Sequence, residues 1–249
     1  MIYAEKYGNG KEILIGIHGW GGSNQTFLPL KNLVHKDYSM INLDLPGYGK
    51  SSALSEWNLP NLIEHITEKI LKVSENKSVK ILGNCSGALL TVLISKSPKI
   101  NVSHMYLIDP FSYAPWYFKI FTNKFFGEYA YKTTFKNPLG RVITNLSLSS
   151  KKQKETNLTS SFKNIDPDVS LNYLKMLVGL ENTNALENIN CPITIIHGDK
   201  TFKSVFKSLI YYQRIWEKPT IIELKKVGHL PIEEAPSEIS KIIFNSKQN

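Results

Sequence analysis

The sequence predicts an α/β protein built on a mostly parallel sheet, and three observations carry that prediction. Short apolar runs of strand length alternate with stretches of helical periodicity, the pattern of successive βαβ units. The chain has 249 residues, within the range such sheets reach as one unit. Its composition, 42% hydrophobic and 20% charged with 15 Gly and 12 Pro, supplies a sizeable core. It also excludes a disordered chain, a collagen-like repeat and a coiled coil.

Taken in order, Glu12-Ile13-Leu14-Ile15-Gly16-Ile17 is a buried-type strand ending at His18-Gly19-Trp20-Gly21-Gly22. Residues 24–35 read as a helix. Residues 38–43 form a second strand, closed by Asp44-Leu45-Pro46-Gly47. Over residues 61–73, Leu62, Ile63, Ile66, Ile70 and Leu71 recur at helical intervals, so this segment covers one face of the sheet. Residues 79–82 are the next strand, followed by Gly83-Asn84-Cys85-Ser86-Gly87 and an apolar helix to about Ser95. Residues 104–108, 193–196 and 220–224 complete the strands. There is no internal repeat and no low-complexity linker.

Between Asp109 and about Glu187 the strand rhythm stops. Residues 111–135 hold 11 aromatics, among them Trp116, Tyr117, Phe118 and Phe121. Residues 111–180 carry ten Lys/Arg against four Asp/Glu, so +6 of the formal charge of +9 lies there. This block reads as a helical insertion over the C-terminal edge of the sheet. A charge that basic suits nucleic acid, an anionic membrane, an acidic partner or a plain lysine bias. Its uneven spread argues against the bias, and no nucleic-acid-binding signature accompanies it.

No stretch approaches the roughly 18 apolar residues of a membrane-spanning helix. Met1-Ile2-Tyr3-Ala4-Glu5-Lys6 lacks the layout of a signal peptide. Two cysteines, at 85 and 191, give neither a disulfide framework nor a metal-ligand spacing. The expectation is a cytoplasmic protein without metal or cofactor. Asp44 to Ser51 ends in Gly49-Lys50-Ser51 but has Asp44 where a phosphate loop needs glycine, so it reads as a turn.

The strongest chemical signal is the strand–Gly83-Asn84-Cys85-Ser86-Gly87-Ala88–helix segment. A sharp strand-to-helix turn with a nucleophile at its apex needs small residues two positions before and two after, because the backbone crowds itself there. Centred on Cys85 those residues are Gly83 and Gly87; centred on Ser86 they are Asn84 and Ala88. The apex is therefore Cys85. The competing reading is a buried cysteine in an ordinary turn.

His18-Gly19-Trp20-Gly21-Gly22-Ser23, Asp44-Leu45-Pro46-Gly47-Tyr48-Gly49, the cysteine turn and Gly228-His229-Leu230-Pro231 occur in that order. Together they resemble the α/β-hydrolase superfamily over nearly the whole chain, in a variant with a cysteine nucleophile. The resemblance implies the α/β-hydrolase fold, a mostly parallel central sheet flanked by helices. Residues 1–110 and 188–249 would be the core and 111–187 a helical cap, or lid. It implies Cys85 as nucleophile and His229 as general base, in the chain order nucleophile, acid, histidine. The backbone N–H groups of Trp20 and Ser86 would form the oxyanion hole. His18 would orient that loop.

The acid is left open. The family usually carries it three residues after the glycine that ends the penultimate strand, which here is Thr201. Asp109, at a strand end in Ile108-Asp109-Pro110, is one substitute, in the place pancreatic-type lipases use. Asp199 is the other. A Cys–His pair can also ionise without an acid.

A sulfur nucleophile suits activated acyl groups, because the tetrahedral intermediate of a simple ester tends to expel the thiolate again. The aromatic insertion suits an apolar acyl chain, with Trp116, Tyr117, Phe118 and Phe121 lining it, or else merely packs onto the sheet. Its lysines suit the phosphates of coenzyme A, an acidic acyl-carrier protein or an anionic membrane surface. The expected function is thus a thioesterase on a hydrophobic acyl-CoA or acyl-carrier-protein substrate. Alternatives are a carboxylesterase, lipase or acyltransferase of this fold, and a non-catalytic ligand-binding protein on the same scaffold.

Overall fold

The computed structural model describes residues 1–113, 116–180 and 184–244. Among them one seven-stranded sheet runs through the molecule in the order β1-β3-β2-β4-β5-β6-β7. The strands are β1 (Ala4–Tyr7), β2 (Glu12–Ile17), β3 (Tyr38–Leu43), β4 (Val79–Asn84), β5 (Val102–Ile108), β6 (Ile193–Gly198) and β7 (Thr220–Leu224). Every neighbouring pair is parallel except β1 with β3. Helices α1 (Leu59–Ser74) and α2 (Ser86–Ser95) follow β3 and β4. Helices α3 (Trp116–Phe121), α4 (Gly127–Tyr131), α5 (Pro138–Ser147) and α6 (Pro167–Val178) lie between β5 and β6. Helix α7 (Lys203–Ile215) links β6 to β7, and α8 (Pro231–Glu234) and α9 (Pro236–Phe244) come last.

The apolar strands bury both faces, as parallel sheets must. Ile15, Ile17, Ile41 and Leu43 meet Leu62, Ile66 and Ile70 of α1 on one face. Farther along that face, Met105, Leu107 and Ile195 meet Leu89 and Val92 of α2 and Leu209 and Tyr212 of α7. On the other face, Leu14, Met40, Leu82, Tyr106 and Ile196 meet Phe27, Leu30, Ile239 and Ile243. The period-two side-chain alternation thus decides which helix each strand residue touches.

Two elements depart from expectation. Residues 24–35 do not form an α-helix: Asn24–Leu33 winds as a 3₁₀ helix with Pro29 inside it. A proline there has no N–H to donate, which favours the tighter and shorter winding. Strand β1, with Glu5 and Lys6 in its middle, carries no strand pattern of its own. It exists because Ala4–Tyr7 pairs with Leu43–Met40 along the edge of the sheet.

The insertion packs around its own aromatic cluster of Phe121, Tyr131, Phe135 and Phe162 with Leu171 and Leu174. It is pinned to the core by Trp20, which meets Phe118, Phe135 and Phe162 with ring centroids 5.2, 5.3 and 4.8 Å away. The Trp20 indole N–H donates to Ser170 O at 2.8 Å. Among the described residues no helix is long and apolar enough to cross a membrane.

His18, fully buried at the end of β2, ties the β2 and β3 loops together. Its Nδ1–H donates to Gly19 O at 2.8 Å and its Nε2 accepts the Leu45 N–H at 3.0 Å, which fixes a neutral tautomer. Burial holds its pKa down to about 4, against the Gly19 carbonyl and the Asp44 charge, which act to raise it. The unfolded chain therefore binds a proton near pH 6.5 that the folded chain refuses until about 4. The stability this neutral histidine contributes is present above the unfolded value and is lost as pH falls towards the folded one. The expected loss is roughly 3 kcal/mol over that interval. Urea unfolding across it should show a slope that a His18→Asn variant lacks; equal slopes would refute this account.

Candidate active site

Strand β4 passes into α2 through a single residue, Cys85, at φ 54° and ψ −120°. A non-glycine residue at positive φ is strained and persists only where its surroundings over-determine it. Here they do. A Cβ on Gly83 would lie 2.6 Å from Ala88 Cα, and one on Gly87 would lie 2.3 Å from His18 O. The small residues on either side of Cys85 are therefore a steric requirement of the turn. Gly19 completes it, since a Cβ there would sit 2.8 Å from Cys85 Cβ. The Cys85 N–H donates to Ile108 O at 2.7 Å, which ties the apex to the end of β5.

Asp109 follows immediately on β5, fully buried, at φ 46°. Its Oδ1 accepts the Gly198 N–H at 3.2 Å. Its Oδ2 accepts the Thr201 hydroxyl at 2.5 Å and His229 Nδ1–H at 2.8 Å. Thr201 Oγ1 also lies 3.2 Å from His229 Nδ1, so one imidazole N–H faces both oxygens. Thr201 stands where the sequence resemblance expected an acid, and in the fold it donates to the carboxylate that stands in for one.

His229 is held from three sides. Its backbone N–H donates to Lys151 O at 2.8 Å, and Phe202 stands edge-on to its ring at 4.6 Å. The Glu234 carboxylate accepts Gly228 N–H at 2.5 Å and Gln153 N–H at 3.1 Å, tying the histidine loop to the insertion. Cys85 as well as Asp109 acts on the imidazole. Burial works to lower its pKa, but the Cys85 charge, the hydrogen bonds to Asp109 and Cys85, and the Asp109 charge outweigh it. His229 is pushed up to about 10. An imidazole held there is a strong base for a thiol proton.

Of the two candidate acids, the fold brings Asp109 to His229 and directs Asp199 elsewhere. Asp199 is on the surface and accepts the Val227 N–H at 3.2 Å. The Lys226 and Val227 N–H groups hold it below the usual carboxylate range. A strand end fixed on both sides by β4 and β6 aims a carboxylate inward, whereas the turn after β6 points Asp199 outward.

The expected oxyanion hole differs in one respect. Trp20 N–H is not bare: it donates to Ser86 Oγ at 2.6 Å. The serine that follows the apex residue thus caps one of the two donors with its own hydroxyl. Of the expected acyl-contact residues, Phe118 lies against Trp20 and Phe111, while Phe121 is buried with Tyr131 and Phe135 inside the insertion. The side chains of Trp116 and Tyr117 lie outside the described residues. Sequence reasoning missed the Thr201 hydroxyl, the Lys151 carbonyl, Glu234 and the Ser86 hydroxyl. Only Thr201 had a signal, its place in the expected acid position.

Residues 12–236 match the family model for the alpha/beta hydrolase fold. The chain belongs to this family. The pimeloyl-[acyl-carrier protein] methyl ester esterase of Salmonella agona (strain SL483) is 19% identical to it, over all of this chain and 98% of that enzyme. Two solved structures share the fold. A lipase-esterase related protein from Clostridium acetobutylicum ATCC 824 matches with TM-score 0.75 and 19% identity, over 98% of this chain and 99% of that one. The epoxide hydrolase VrEH1 from Vigna radiata matches with TM-score 0.76 and 16% identity, over 98% and 93%.

Because Asp109 is among the groups that raise His229, replacing it should lower the pH at which the imidazole gives up its proton. In Asp109→Asn the His229 titration, followed by NMR of the imidazole nitrogens, should move down from about 10 by one unit or more. Asp199→Asn should leave it in place. A shift in the second variant but not the first would reverse the assignment.

Proposed function

We propose that this α/β-hydrolase family member is a cysteine-dependent acyl hydrolase, a thioesterase acting on a hydrophobic acyl group carried as a thioester on coenzyme A or an acyl-carrier protein. The observation that carries the reading is the His229 imidazole, hydrogen-bonded to Asp109 and raised in basicity by both Asp109 and the elbow cysteine Cys85. Cys85 is the nucleophile, His229 the general base, and Asp109 the acid that orients it, with Thr201 as a positioning residue.

In this reading His229 takes the Cys85 S–H proton, and the sulfur attacks the thioester carbonyl. The oxygen charge that develops is met by the Ser86 N–H and by Trp20 N–H, once the latter is released from Ser86 Oγ. The tetrahedral intermediate then breaks its carbon–sulfur bond to the carrier, and the departing thiolate takes the proton from His229. A water molecule, deprotonated by His229, attacks the acyl-Cys85 thioester. Cys85 leaves as the thiolate, the proton returns from His229, and the carboxylic acid is released. The first step exchanges one thiolate for another, which an oxygen ester would not offer to sulfur, and in the second the thiolate is a better leaving group than the incoming water oxygen.

The carrier is chosen by charge. Seven Lys/Arg and one Asp/Glu between residues 119 and 152 suit the phosphates of coenzyme A or an acidic carrier protein. The Salmonella relative, whose name includes an acyl-carrier protein, agrees with a carried acyl chain. Its name also includes a methyl ester, and that favours a carboxylesterase as the second reading.

Intact-mass analysis after brief exposure to an acyl thioester should find a single acyl adduct on Cys85, absent in Cys85→Ala. Wild type should prefer the thioester over the oxygen ester of the same acyl group, and Cys85→Ser should reverse that preference. No adduct, no turnover and tight acyl-ligand binding would instead identify a binding protein on this scaffold.

A separate expectation concerns Ser86. Its hydroxyl caps Trp20 N–H, and breaking that bond costs about 1 kcal/mol. Ser86→Ala should therefore raise kcat/KM severalfold, and a large fall would mean that the hydroxyl itself stabilises the oxyanion.

A further inference from the structure

Helix α5 is built inside out. Its sequence, Pro138-Leu139-Gly140-Arg141-Val142-Ile143-Thr144-Asn145-Leu146-Ser147, places four aliphatic residues at the i, i+3, i+4, i+7 spacing of a single face. An ordinary surface helix turns such a face inward, as α1 does with Leu62, Ile66 and Ile70. In α5 the face is turned to solvent: Leu139 is 72% exposed, Val142 56%, Ile143 67% and Leu146 67%.

The inward side is polar and well bonded. The Arg141 guanidinium donates to Phe135 O at 3.0 Å and Lys136 O at 2.8 Å. Asn145 Oδ1 accepts Leu158 N–H at 2.9 Å, and the Thr159 hydroxyl donates to Arg141 O at 3.1 Å. Gly140 packs so tightly on the preceding turn that a Cβ there would lie 2.0 Å from Thr133 O. The orientation is thus fixed by hydrogen bonds and close packing, and α5 cannot roll its aliphatic face inward without breaking them. A fixed, exposed stripe of this kind marks a surface that contacts something else.

The surroundings say what. Helix α5 contains no acidic residue. From residue 119 to residue 152 the single acidic side chain, Glu128, is paired with Lys132. Lys124 and Lys136 are exposed, and Arg141 adds a further fixed positive charge. Helix α4 packs on the same 132–136 turn as α5. It adds exposed Tyr129, with exposed Phe126 immediately before it. A second copy of this chain would bring two such positive surfaces together, which opposes self-association through this face. An acidic carrier protein would answer the charge but has no need of four aliphatic side chains. An anionic bilayer answers both.

We propose that α5 is a membrane-docking element, seating Leu139, Val142, Ile143 and Leu146 among the acyl chains of an anionic lipid surface, with the flanking lysines at the headgroups. The inference does not depend on the elbow chemistry, although its lysines belong to the same basic stretch that the proposed function offers to the carrier. With acyl-chain substrates, it would bring the enzyme to the phase where such chains concentrate.

Vesicle co-sedimentation of the full chain tests it. At low salt the protein should pellet with equimolar phosphatidylcholine–phosphatidylglycerol vesicles, stay in solution with pure phosphatidylcholine, and be released by added salt. Ile143→Glu/Leu146→Glu changes only exposed positions and should lower partitioning by roughly tenfold or more, with an unchanged circular dichroism spectrum and melting curve. Lys124→Glu/Lys136→Glu leaves the aliphatic face whole and should lower it severalfold on the anionic vesicles alone. Equal binding to both vesicle types, or unaltered binding of the first variant, overturns the proposal. So does a dimer in sedimentation velocity that the first variant dissociates, or capture of an acidic carrier protein by this face without vesicle binding.

Discussion

The arrangement around Cys85 depends on one steric constraint, the crowding of backbone where β2, β4 and α2 converge. Gly19, Gly83 and Gly87 each approach neighbouring backbone or Cys85 Cβ so closely that a methyl group would collide. That crowding forces the single connecting residue into a positive-φ conformation and lifts its side chain off the sheet. It also brings the loop after β2 against the start of α2, which is why Trp20 N–H comes within 2.6 Å of Ser86 Oγ. Loosening any of the three contacts would let the turn relax, and the side chains arranged around it would lose their common origin.

The second level of organisation is electrostatic. Asp109 receives three hydrogen bonds while fully buried, from Gly198, Thr201 and His229. Such a carboxylate is satisfied in place and does not need solvent. Its partner His229 gains charge stabilisation from two sides and is pushed up to about 10, against its burial. His18, also buried, has its ring nitrogens on the Gly19 carbonyl and the Leu45 N–H, and burial outweighs the Asp44 charge to hold it down to about 4. Two buried imidazoles thus differ through their neighbours: one faces a carboxylate and a sulfur, the other a carbonyl and an amide.

The insertion works in two directions. Its aromatic residues turn inward, and Trp20 is the core residue they close upon. The aliphatic face of α5 turns outward because the polar side of that helix is occupied by Arg141, Asn145 and Gly140 in fixed contacts. The 151–153 segment, through Lys151 O and Gln153 N–H, joins the histidine loop. The same inserted stretch that carries most of the positive charge is therefore attached directly to the loop bearing His229.

Local sequence determined the parallel sheet, the positions of its parallel strands and the apex of the elbow. Those depend on short-range facts: apolar runs, helical spacing, and the need for glycine two residues either side of Cys85. The pairing of an acid with His229 lay beyond it. In one dimension Asp109 has only its place at a strand end to favour it over Asp199, and the convergence of β5, β6 and the histidine loop is what separates them. β1 was illegible for a similar reason, since Ala4–Tyr7 becomes a strand only by pairing with β3. The exposed face of α5 was hidden because amphipathic spacing tells that a helix has an apolar side, not which way it points. That direction was decided by tertiary contacts, hydrogen bonds and close packing on the polar side that the linear order of residues does not contain.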